Sequence, residues 1–305
     1  MIRLKRFSFS MRLEEFVAFV YFWPMAYFTF KAYSYFQAQG DIPRRFTGDM
    51  QRLGVVVLAI LITYIIARKK PNWAFLRDAL PFAYCLAIYT NLHDTVHFVN
   101  PHDIQDKLIA IDQWLFGLQP SVWAEQFIRP WLTEILSFCY MLFFLLTPIV
   151  AFTLYLKKRR DEFRETLSTV ILCFYMGYFF YVLFPAVSPS IALSDMYTLH
   201  FDGTPMADAE LKLNNILPSQ ARDAFPSLHT AVTLLTLGFA FKYLRWLFWL
   251  LLPVCIGLLI ATVYLRHHYV IDLIAGVALA LFAYCTIPRL EKWWQAQMRS
   301  GEENG

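Results

Sequence analysis

Two short strings hold side chains that can attack an electrophile and move a proton. They are Phe225-Pro226-Ser227-Leu228-His229-Thr230 and Arg266-His267-His268-Tyr269-Val270-Ile271-Asp272. His268 and Asp272 stand four apart, so on a helix they share one face. A carboxylate there accepts the proton on one imidazole nitrogen. That fixes the tautomer and leaves the other nitrogen as nucleophile or base. Pro226 and Ser227 read as a helix start, with Pro suited to the first turn. The exposed N–H groups of such a start, Leu228's among them, and the helix dipole favour a phosphate. The Ser227 hydroxyl adds a donor. His229 is placed to act as a general acid, a role that typically contributes about 10²–10⁴ in rate. Alone, the His-x3-Asp spacing reads as a local polar pair and Pro-Ser-x-His as a helix start. Together, each heading its own helix about 40 residues apart, they read as one site.

The elements that must position these residues follow from composition. Of 305 residues, 58% are hydrophobic and 16% charged, where about 25% charged is usual. A soluble domain of this size would have too few charges to cover its surface. Disorder, coiled coil and collagen-like chains are excluded. An all-α polytopic membrane protein is predicted, with eight apolar segments near 16–33, 53–67, 79–97, 132–156, 167–184, 228–244, 246–265 and 269–288. A bilayer core takes about 20 mostly apolar residues per helix. The first segment is too long for a leader's apolar core and no small-residue cleavage site follows it, so it reads as a retained helix.

The charges set the expected orientation. With a cytoplasmic N-terminus, one side holds Arg3, Lys5, Arg6 and Arg12, then Arg68, Lys69, Lys70 and Arg77, then Lys157, Lys158, Arg159, Arg160 and Arg164. It also holds Lys242 and Arg245, then Arg289, Lys292 and Arg299: two-thirds of the 27 Lys and Arg. This is the positive-inside pattern, so the basic runs are topology signals and not nucleic-acid patches. Both chemistry-bearing strings then fall on the non-cytoplasmic face, in a bacterial inner or plasma membrane or a eukaryotic Golgi-type endomembrane. Expected domains are 1–70 (two helices), 71–293 (a six-helix catalytic core) and a polar tail 294–305. The outer connections are 98–131 and 185–227. In the first, Ile104, Leu108, Ile111 and Leu115 mark one helix face, with Trp114, Phe116 and Trp123 nearby for the interface plane. The second carries five prolines, and unstructured loops beyond about 15 residues are commonly functional. The five cysteines lie in apolar runs and read as packing residues.

Other polar residues admit two or more readings. Arg222 and Arg266 flank the two strings and could bind phosphate or meet lipid head groups. Asn91, His93, Asp94 and His97 could be a polar helix end, a head-group or acceptor site, or ligands to a divalent metal through His93, Asp94 and His97. Tyr140 reads as core. His267 points about 100° away from His268 around a helix and reads as non-catalytic, and His200 as incidental.

Pro226-Ser227-x-His229 followed by His268-x3-Asp272 resembles the second and third motifs of the type 2 phosphatidic acid phosphatase superfamily. The longer strings are similar to its inositol phosphorylceramide synthase branch, as are Phe184-Pro185-x3-Pro189 and Asp112-x2-Leu115-Phe116-Gly117. The resemblance covers roughly residues 80–288. It implies that His268 attacks phosphorus to form a phosphohistidine, Asp272 orients it and His229 protonates the leaving group, with no metal or other cofactor. It further implies a phospholipid donor and a lipid alcohol acceptor such as ceramide, inositol phosphate being the suggested head group. Three features depart from the phosphatases. Val122 stands where their first-motif Lys would precede Arg129-Pro130, Thr262 stands where their third-motif Arg would be, and Leu228 replaces Gly. Fewer cations suit a singly charged phosphodiester better than a monoester dianion, which favours head-group transfer. A lipid phosphatase with water as acceptor is the nearest alternative. A transporter or scaffold is disfavoured by last helices nearly free of mid-span charge, and a metal-dependent hydrolase using His267, His268 and Asp272 is the third rival.

Overall fold

A computed structural model describes residues 12–38, 74–90, 92–199, 201, 204–216 and 222–303, with scattered positions in 51–65. Packing divides the chain into two compact units, one of residues 1–98 with 285–305 and one of residues 99–284.

The first unit holds α1 (Leu13–Ala38), α2 (Ala74–Thr90) and most of α3 (Leu92–Val99). Glu15, at the third position of α1, accepts the Arg12 N–H at 2.9 Å, half of a capping box. Arg77 of α2 grips Glu15 through Nε and Nη2, both at 2.7 Å. Arg12 reaches Asp78 at 2.6 Å. Glu15 and Asp78 are buried, so each carboxylate needs its partner. Most of the expected segment 53–67 lies outside the described residues, and the expected 79–97 is divided between α2 and α3.

The second unit is the catalytic-string unit. It comprises α4 (Gln105–Phe116), α5 (Pro130–Met141), α6 (Phe143–Leu156), α7 (Arg160–Leu183), α8 (Pro205–Ile216), α9 (Leu228–Tyr243), α10 (Arg245–Tyr264) and the first half of α11 (Val270–Glu303). No strand occurs among the described residues. α5 and α6 form one run bent by 47°; Pro148, inside α6, cannot donate to the carbonyl four residues back. α9 packs against α6, α7 and α10, α10 also against α5, and α8 against α5.

Among the described residues, α7, α10 and α11 are long and apolar enough to cross a membrane. The bent α5–α6 pair makes a fourth if it is one span. Of the other segments among the eight expected, that near 53–67 lies mostly outside the described residues, α9 has 16 residues, and α1 has 26, four of them Tyr and one Trp. The chain is an all-α integral membrane protein.

Two glycines set the crossings that matter. A Cβ on Gly276 of α11 would lie 2.5 Å from the Ser227 carbonyl oxygen, so α11 and the start of α9 meet backbone to backbone. A Cβ on Gly177 of α7 would lie 2.4 Å from the Leu228 side chain. Gly177 thus makes the space into which Leu228 turns. In α4 the expected apolar face splits. Leu108 and Asp112 are buried, while Ile111, Leu115 and Trp114 (81% exposed) face outward.

Candidate active site

The two ends of the long outer connection run side by side next to the histidines. Ala186 N–H donates to Arg222 O at 3.4 Å and Ala224 N–H to Ala186 O at 3.1 Å. The chain then passes through a cis Phe225–Pro226 peptide into α9. Pro226 was expected inside the first helical turn, but it precedes the cap. Ser227 is the N-cap, its Oγ accepting from Thr230 N–H at 3.2 Å and from Thr230 Oγ1 at 3.1 Å. A hydroxyl has one donor and two acceptor sites. Both acceptor sites are therefore used, and the Ser227 O–H is left to donate. The Leu228 amide faces the Tyr181 hydroxyl.

The second string is not the opening of a helix. Arg266 takes φ +67°, the left-handed position that ends a helix. His267 N–H donates to Thr262 O at 2.9 Å and Arg266 N–H to Val263 O at 3.1 Å, a Schellman closure of α10. Holding a non-glycine residue there costs roughly 1–2 kcal/mol. The Arg266 side chain offsets this. It is buried, donates to Leu199 O at 2.7 Å, approaches Glu125 at 3.4 Å and lies over the Tyr197 and Phe201 rings at 3.8 and 4.6 Å. Burial would raise Glu125, yet the Leu199 and Thr198 N–H groups, the Thr198 hydroxyl and Arg266 hold it below the usual carboxylate range.

α11 therefore starts at Val270, and its first amides are met by carboxyl groups. Asp112 of α4 accepts Val270 N–H at 2.8 Å and Ile271 N–H at 2.9 Å. Burial pushes the Asp112 carboxyl up, against the pull of these two donors. Asp272 Oδ2 accepts Tyr269 N–H at 2.9 Å. The same oxygen lies 3.4 Å from His268 Nδ1, and Asp272 Oδ1 is buried with no partner.

His268 Nδ1 lies 2.9 Å from the Ala224 carbonyl oxygen. A carbonyl accepts only, so Nδ1 carries the proton and Nε2 keeps its lone pair; the tautomer is assigned from this network. Nε2 faces His229 Nδ1 at 3.2 Å, which makes His229 Nδ1–H the donor between the rings. His268 is buried, and that burial, with His267 beside it, pushes its imidazole down to about 4. It is neutral at neutral pH.

His229, His268, Asp272 and Ser227 thus converge. Arg222 instead pairs with Asp103 at 2.5 Å and with Asn100 O at 2.9 Å, and Arg266 turns to Glu125 and Leu199. Asn91 and the side chains of His93 and Asp94 lie outside the described residues, as does His200. His97 is exposed and edge-on to Phe98. Sequence reasoning missed three participants. Tyr140, read as core, is buried but stacks on His229, with centroids 4.8 Å apart. His267, read as pointing away around a helix, lies in the turn and stacks on Tyr140 at 4.5 Å. Glu210 of α8 meets His267 Nε2 at 2.5 Å. The one sequence signal was a histidine beside the nucleophile candidate.

A sequence profile described as the PAP2 superfamily matches residues 106–286, more than half of the chain, and the chain belongs to that superfamily. It is a membrane enzyme of the phosphatase and phosphotransferase kind. No curated protein and no solved structure matched it.

Proposed function

We propose that the enzyme moves a phospho-head group from a glycerophospholipid to a lipid alcohol through His268, on the non-cytoplasmic face of its membrane. The observation that carries this reading is the setting of His268: Nδ1 lies 2.9 Å from Ala224 O, which assigns it the proton, and Nε2 faces His229 at 3.2 Å. In the first step Nε2 attacks phosphorus. The bond from phosphorus to the glycerol oxygen breaks, and that oxygen takes a proton from His229 in its imidazolium form, which is left neutral as diacylglycerol is released. In the second, His229 takes the proton of the acceptor hydroxyl. Its oxygen attacks phosphorus, the P–N bond breaks, and the electron pair returns to His268. Positive charge forming on His268 is stabilised by Asp272 and by Ala224 O.

Phosphate is held at the start of α9 by the Ser227 hydroxyl at the positive end of the helix dipole, the Leu228 amide being met by the Tyr181 hydroxyl. The scarcity of cations supports a phosphodiester donor. The phosphatase Lys and third-motif Arg are absent, and Arg222 and Arg266 are engaged elsewhere. Phosphatidylinositol and ceramide are the pair suggested by the resemblance.

The test supplies head-group-labelled phosphatidylinositol to purified enzyme in liposomes, with and without ceramide. The label is expected to appear in a new lipid only when the alcohol is present. Free phosphate released from phosphatidate, with no transfer product from any phospholipid, would overturn transfer in favour of hydrolysis.

A further inference from the structure

A second polar chain runs from the outer connection to His229. Glu210, buried on α8, meets His267 Nε2 at 2.5 Å. The His267 ring stacks on Tyr140 with centroids 4.5 Å apart and planes 17° apart. Tyr140 stacks on His229 at 4.8 Å and 29°. α8 is itself fixed on α5, where the Glu134 carboxylate accepts Met206 N–H at 3.0 and 3.3 Å.

His229 needs such support. Its hydrogen bond to His268 Nε2 must break when phosphorus enters between the rings. What then holds the imidazole is ring packing, from Tyr140 and from Phe143 at 4.4 Å. Of these two rings, Tyr140 is the one buttressed by a further ring that is hydrogen-bonded in turn.

We propose that Glu210 is a positioning residue of the transfer reaction. By fixing His267, and through it Tyr140, it holds the His229 imidazole at the angle from which it protonates the leaving oxygen. The outer-loop helix α8 thereby acts on the chemistry, with His267 as its connection to the site. This rests on the reading of His229 as general acid.

The test uses leaving groups that differ in their need for that proton. Full-length enzyme in detergent micelles is assayed on phosphatidylinositol with ceramide, or on phosphatidate if the wild type hydrolyses that instead. In parallel it is assayed on bis-p-nitrophenyl phosphate, whose nitrophenolate leaves unprotonated. Glu210→Gln and His267→Gln are each expected to lower kcat on the lipid by about 10–100-fold, the scale seen when the outer hydrogen-bond partner of a metal-bound histidine is removed. KM should change little, the aryl diester rate should fall far less, and the double variant should be no slower than His267→Gln. His229→Gln should show the same selectivity more strongly. Folding of each variant is checked by thermal unfolding in the same detergent, and His267→Gln serves where Glu210→Gln does not fold. Equal losses on both probes, or no loss, in a folded Glu210 or His267 variant would overturn the proposal while His229→Gln keeps its selective loss. If His229→Gln itself shows no selectivity, the general-acid reading fails and the proposal with it.

Discussion

The two helices that head the site begin in opposite ways. α9 is capped by its own neutral Ser227. α11 is capped by carboxyl groups, Asp112 from α4 on two amides and Asp272 on a third. A helix N-terminus attracts an anion unless one is already there. At α11 that place is taken, so the proposed mechanism puts phosphate at α9. The dipole of α11 serves instead to fix the turn that carries His268. On that proposal one helix start binds and the other orients.

Four substitutions and one change of condition would break or sharpen that division. The largest effect is expected from His268→Ala, which removes the attacking nitrogen. Turnover should fall by at least about 10³-fold, as when a covalent nucleophile is lost, while phospholipid still binds at α9 in an equilibrium binding assay. Next is Gly276→Ala. Its methyl would press on the Ser227 carbonyl oxygen, which as backbone cannot swing aside, so both helix starts must move. A loss of stability on the order of 1–3 kcal/mol is expected for such overpacking, with a lowered Tm and a lowered kcat together.

Asp112→Ala and Ser227→Ala separate the two roles. Losing an N-cap costs about 0.5–2 kcal/mol, so both should lower Tm by similar amounts. Asp112→Ala should reduce kcat with KM nearly unchanged, because it loosens the turn before α11. Ser227→Ala should raise KM for the phospholipid, because it removes a donor to phosphate. The reverse pattern would mean that the phosphate sits at α11.

The smallest expected effect is with pH. His268 is held down to about 4 by burial and by His267. A nucleophile must be neutral, so its active form is present above that value and is lost as pH falls through it. In a profile of kcat/KM, the limb belonging to His268 should lie near 4 and not near the ordinary histidine value of about 6.5.

The parts of this site that were legible in the sequence are local. His268 and Asp272 are four residues apart, and Ser227 and His229 flank one helix start, so spacing alone was informative. The pattern misled where a residue broke its usual preference. The expected segments 246–265 and 269–288 end and begin within a residue of α10 and α11, but Arg266 occupies a left-handed position that glycine normally takes, so the turn it makes was not legible and the string Arg266–Asp272 read as one helix opening. Partners from distant elements were also invisible. Asp112 faces Val270, Tyr140 faces His229 and Glu210 faces His267 only because α4, α5 and α8 are folded over the helix starts, and no periodicity records that. Arg222 and Arg266 were legible as cations near the site, but their partners Asp103 and Glu125 lie in the first outer connection, far away in sequence.

The central claim is that His268 Nε2 carries the phospho-head group between donor and acceptor. Its most direct test is to mix the enzyme rapidly with phosphatidylinositol tritiated in the inositol ring, quench in alkali, where a phosphorus–nitrogen bond survives, and map the labelled peptide by mass spectrometry. The predicted result is tritium on His268, absent in His268→Ala and chased into a new lipid by ceramide. Turnover with no labelled protein, or label fixed to another residue and competent to transfer, would contradict it.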